Sequence, residues 1–154
     1  MVSWAKLLIV CGIVLSSSSI PYKASSGTMR KPPEKLGIYD GYSTPSWVLR
    51  GIAMTESGEA DWAIGDGGIS LGRMQLNEKY HSLRAKTWGE YNPRYPNDSI
   101  RITSCIFQEN LKYFGSIPKA ISAHRWGIKG VRHHGIDNLY VAQVVIYGYT
   151  GKSY

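Results

Sequence analysis

From residue 44 onward the chain is a succession of segments with helical periodicity, most of them closed by a glycine. That punctuation restricts it to a mainly helical fold. Thr44-Pro45 is a helix start, with Thr as N-cap and Pro at the first helical position. Leu49, Ile52, Ala53 and Glu56 then fall at i, i+3, i+4 and i+7 on one face, and Gly58 supplies a left-handed stop. A second helix is expected from about Asn77 to Thr87, and a third from an Asn97 or Asp98 cap to Gly115, with Ile100, Thr103, Phe107, Leu111 and Phe114 as its stripe. A fourth runs from Ser116-Pro118 to Trp126 with Gly127 as its end. A fifth starts at Asp137 or Asn138, with Leu139, Ala142 and Ile146 sharing a face. Between the first two helices, Asp66-Gly67 marks a tight turn in a small β-hairpin region. The sum is a mainly α, α+β domain.

The N-terminus reads differently. Lys6 precedes a nine-residue apolar run, Leu7 to Leu15, too short to span a bilayer as a helix. Followed by Ser16 to Ser19, it fits a secretory signal over residues 1–19, so export to a periplasm, cell envelope or exterior is expected. Cys11 lies too early in the apolar run, and behind too large a residue, for a lipoprotein cysteine. Cleavage near Ser19 would leave Cys105 as the one cysteine. Residues 20–36, rich in Pro, Ser and Lys, read as a linker, and the folded domain as residues 37–154.

Composition narrows the partner. The 154-residue chain carries a net charge of +7, which favours a polyanion, yet its basic residues are scattered and form no nucleic-acid motif. The charge narrows the partner to nucleic acid, anionic lipid or an acidic polymer such as a cell wall, without choosing among them. Eleven Tyr and five Trp suit faces that bind flat polar ligands such as sugars. No cofactor is implied. No metal is expected either, because His81, His124, His133 and His134 lack an acidic partner at HExxH spacing and no CxxC occurs.

Acid catalysis of glycosidic cleavage needs a carboxyl that half-burial against apolar neighbours keeps protonated until it is used. Glu56 is placed for this, at the end of an apolar stripe and before a glycine-rich segment that a polymer can approach closely. Glu56-Ser57-Gly58 followed by Gly68-Ile69-Ser70-Leu71-Gly72-Arg73-Met74-Gln75 resembles the "ESG … GxxGLMQ" signature of the lytic transglycosylase and g-type lysozyme families. Ala120-Ile121-Ser122-Ala123-His124-Arg125-Trp126-Gly127 stands where those families carry "ALAAYNAG", and Tyr140-Val141 with Val144 resembles their "YVxxV". The pieces keep the family order across residues 45–146.

The resemblance implies a lysozyme-like domain that cuts the MurNAc–GlcNAc linkage of peptidoglycan. Glu56 would be acid and then base, and Ser57 would orient it. Gly72, Met74 and Gln75 would line the glycan groove, with His124 and Arg125 as further groove residues, and Tyr140 would contact the carboxylate. Three positions depart from the pattern: Arg73 replaces Leu, His124 replaces Tyr and Arg125 replaces Asn. Arg125 could instead pair with a muramyl or peptide carboxylate. Hydrolysis is the close rival and would use Asp61 or Asp66 as a second carboxylate. A catalytically silent wall-binding module is the other. The expected partner is the glycan strand, with a secretion or envelope assembly left open, no nucleic acid, and a membrane only through the N-terminal segment.

Overall fold

The computed structural model describes residues 37–151, so the expected signal segment, linker and Cys11 lie outside the described residues. Five α-helices, α1 (Ser46–Ser57), α2 (His81–Trp88), α3 (Pro96–Phe114), α4 (Ile117–His134) and α5 (Asn138–Thr150), carry the domain. A small antiparallel sheet of β1 (Ile64–Gly65), β2 (Ser70–Leu71) and β3 (Leu76–Asn77) sits between α1 and α2. Gly65 pairs with Ser70, and Ser70 with Asn77. The mainly α, α+β class expected from the sequence is what the chain adopts. Among the described residues no helix is long and apolar enough to cross a membrane.

The first helix ends as its sequence dictates. Gly58 is left-handed at φ 64°, its N–H reaches the Met54 carbonyl, and the Glu59 N–H reaches that of Ala53. The start differs from expectation. Thr44 does not cap α1; its buried Oγ1 instead accepts from Ser104 Oγ at 2.8 Å and Gln108 Nε2 at 3.1 Å, pinning the helix start to α3. A hydroxyl offered two partners on another helix, one of them buried, is spent there rather than on exposed backbone N–H groups. Nor do Asn97 and Asp98 cap α3. Pro96 is already inside it, and Asp98 accepts from the Asn92 N–H at 2.9 Å.

Leu49, Ile52 and Ala53 pack with Ile100, Phe107, Ile121, Tyr140 and Val144 into one core. Helices α1 and α5 meet through two glycines. A Cβ on Gly51 would stand 2.0 Å from the Val144 carbonyl oxygen, and one on Gly148 would stand 2.1 Å from that of Trp47. Backbone therefore rests on backbone at this crossing. It also settles which side of α5 is inside. Tyr140, Val144 and Gly148 are buried, whereas Leu139, Ala142 and Ile146, expected to form the packed face, are exposed. The helix is apolar nearly all round, so periodicity alone cannot choose its face. Gly127 does interrupt α4, at φ 69° and ψ 171°, but helix resumes beyond it. His133 and His134 thus lie in a final helical turn, ring against ring at 5.2 Å, beyond the helix end expected at Gly127.

Candidate active site

Because α1 and α5 cross so closely, the end of one is carried onto the start of the other. Glu56, in the last turn of α1, is half-buried, and its Oε1 accepts from the Tyr140 hydroxyl at 2.5 Å. Tyr140 is fixed from three sides. Its ring is in the core, its N–H donates to the Asp137 carboxylate that caps α5 at 3.0 Å, and the Arg125 guanidinium lies 5.6 Å from the ring centre. Burial, then the Glu56 charge and hydrogen bond, push the Tyr140 hydroxyl far above its ordinary range, so it stays a proton donor. The Glu56 oxygen that faces Tyr140 is thereby committed as an acceptor.

Glu56 opens on a cleft of about 1340 Å³, more than a single small ligand needs. One wall comes from Tyr80, Leu83 and Arg84 around α2, the other from Arg125, Trp126, Leu139 and Tyr140. Tyr80, Leu83, Trp126 and Leu139 are exposed apolar surface there, suited to stacking on sugar faces. Arg84 reaches the Asn77 carbonyl at 2.9 Å and lies over the Tyr80 ring.

The other expected site residues divide. Gln75 lines the cleft. It adopts φ 47° and closes the β2–β3 turn by donating to the Gly72 carbonyl at 2.9 Å. His124 and Arg125 also line it. His124 Nε2 meets the Met74 carbonyl at 3.2 Å; a carbonyl only accepts, so this nitrogen holds the ring proton. Burial holds the His124 pKa below its ordinary value, against the opposing pull of Glu56 and the Met74 carbonyl. Arg125 approaches Asp137 at 3.5 Å and keeps 53% of its side chain exposed, so the guanidinium is available in the cleft.

Gly72 and Met74, expected at the groove, and Ser57, expected to orient Glu56, are placed elsewhere. Met74 is fully buried in the core and offers only its carbonyl. Gly72 is buried at φ 73° beneath the preceding loop of α3, where a Cβ would stand 1.9 Å from the Pro93 oxygen. Ser57 Oγ lies 2.9 Å from the Arg73 carbonyl and accepts from the Ala60 N–H, so it ties the end of α1 to the β2–β3 turn and makes no bond to Glu56. These three hold the loop beside Glu56 and do not line the cleft.

Arg73 has a structural partner set. Its guanidinium grips Asp61 through both carboxylate oxygens, at 2.6 and 3.0 Å, and donates to the Tyr39 hydroxyl at 3.0 Å. Tyr39 donates in turn to Glu59 at 2.7 Å. Asp61 is thus occupied outside the cleft. Asp66 does line it, with its carboxylate accepting from the Ser70 hydroxyl. Among the described residues no three His, Cys, Asp or Glu side chains cluster as a metal-binding set. No family model matches the chain, and no curated protein matches it.

Proposed function

We propose that the chain cleaves the β-1,4 bond between MurNAc and GlcNAc in bacterial peptidoglycan, and that it does so as an exported lytic transglycosylase. The observation that carries this is the Glu56–Tyr140 pair, a carboxyl held by a buried, protonated tyrosine and opening on a large cleft whose mixed lining includes exposed Tyr80, Leu83, Trp126 and Leu139. Glu56 passes its proton to the glycosidic oxygen as the C1–O bond breaks, and positive charge develops on the muramyl C1 and ring oxygen. The carboxylate then takes the proton of the muramyl C6 hydroxyl while that oxygen bonds to C1, closing a 1,6-anhydro ring. No second carboxylate and no water is consumed. Tyr140 keeps its proton throughout and holds the carboxylate for both transfers.

One observation favours a second reading. Asp66 lines the same cleft, so a water activated by Asp66 would give hydrolysis in place of ring closure. Asp61, bound to Arg73, is not available for that part. Mass spectrometry of digested peptidoglycan separates the two chemistries. Anhydro-muropeptides support the transglycosylase, reducing ends that vanish in Asp66→Asn support the hydrolase, and wall binding with no products supports a silent module. Glu56→Gln, which keeps shape and loses the transferable proton, should lower turnover by at least about 10⁴-fold with folding intact, since general acid–base help is typically worth 10²–10⁴-fold and one group supplies both halves.

A further inference from the structure

Helix α3 carries a residue that its packing does not explain. Its inner face, Ile100, Thr103, Phe107 and then Asn110, follows helical spacing into the core. Asn110 ends that face at 6% exposure, where an apolar side chain would be expected. No hydrogen bond to another described residue engages its side chain, and it lines the cleft that holds Glu56. Its amide atoms are not among the sealed polar atoms that lack a partner, so they open on the cleft, where a ligand can supply the matching donor and acceptor.

We propose that Asn110 reads the acetamido group of a bound N-acetylated sugar, an inference that rests on the glycan-cleaving function proposed above. An asparagine presents a carbonyl acceptor beside two N–H donors, and an acetamido group presents the complementary N–H and C=O. A sugar hydroxyl would also match the amide, but an acetamido group brings a methyl as well. Ile106, one helical turn before Asn110, and Ala123 of α4 line the same cleft and supply apolar surface for that methyl. Asn110 is therefore a specificity residue, acting on the part of the sugar that distinguishes wall glycans from unacetylated polymers, while Glu56 acts on the bond.

The test uses the full chain carrying Glu56→Gln, so that ligand is not consumed, and measures calorimetric affinity for chitohexaose and for its N-deacetylated counterpart. The parent should prefer the acetylated glycan. Asn110→Leu should lose about tenfold for chitohexaose, one hydrogen bond's worth, with no loss for the deacetylated glycan and a Tm close to the parent's. A structural asparagine would behave oppositely, losing Tm and keeping selectivity, and that result overturns the assignment. Asn110→Ser, which keeps a small polar group, makes the same comparison if leucine disturbs packing. A parent that binds neither glycan overturns the glycan reading and this assignment together. A parent that is selective beside variants equally selective overturns the role of Asn110 alone.

Discussion

On the proposed function, the hydrogen bond from Tyr140 to Glu56 is the contact on which the chemistry turns, and the hydroxyl can be removed without disturbing the ring. A hydrogen bond to a charged group is worth about 1.5–3 kcal/mol, so Tyr140→Phe should cut kcat/KM roughly 10- to 100-fold. Because Glu56 is half-exposed and water can replace the lost donor, the Tm should move little; a collapse in Tm with normal turnover per folded molecule would make Tyr140 structural only. His124 gives a pH signature of its own. Its pKa is depressed in the fold from an ordinary 6.5, so the unfolded chain takes up the proton first as pH falls. Its contribution to stability is whole above pH 6.5 and is lost as pH drops through the lower folded value. Denaturant melts of the wild type should weaken between neutral and mildly acidic pH by more than those of His124→Gln, and parallel losses would refute it. Glu56 was legible in the sequence because an apolar stripe leads up to it, and Tyr140 through its motif. Asn110 was not, since it stands just past a stripe that reads as plain core. Met74, Gly72 and Ser57 show the limit of motif reading, because a motif residue can serve the loop that frames a ligand without facing it.

Among the elements, the crossing of α1 and α5 does most to build the site. Alanine in place of Gly51 would gain about 1 kcal/mol of helix propensity. It would also press a methyl into the backbone at Val144, and overpacking typically costs 1–3 kcal/mol. With a carbonyl oxygen only 2.0 Å from the new Cβ the upper end applies, so Gly51→Ala should lose about 2 kcal/mol net. It should also lower activity beyond the stability effect, because spreading the helices pulls Tyr140 from Glu56. Chemical denaturation paired with turnover per folded molecule checks both parts; a stabilised, fully active variant would refute the close crossing. The stops at Gly58 and Gly115 were legible because a left-handed glycine is local chemistry, whereas the expected caps of α1 and α3 and the stop at Gly127 were overridden. The buried face of α5 was not, because a helix rich in Val, Tyr and Ile on every side is oriented by what it meets. The same holds for Thr44, whose partners lie 60 or more residues away.

At the scale of the whole molecule, the net charge of +7 bears on where the protein dwells rather than on the proposed cleavage. Raising salt from 0.1 M to 1 M shortens the screening length from about 10 Å to about 3 Å. Binding to intact, anionic walls should therefore fall steeply over that range, while affinity for a short neutral glycan stays nearly constant. Equal salt dependence for both ligands would show that the charge plays no part in wall association. The basic balance was plain from composition, whereas its polymer partner rests on the site. The α1–α5 crossing has one more consequence, and it concerns the protein's synthesis. Glu56 and Tyr140 are 84 positions apart, so a ribosome adding roughly 5–20 residues per second completes the acid roughly 4–17 s before its tyrosine. For that interval, and until α5 docks, the nascent chain holds the cutting group without the partner that orients it. On the proposed function, a lytic activity built this way stays dormant in every unfinished copy.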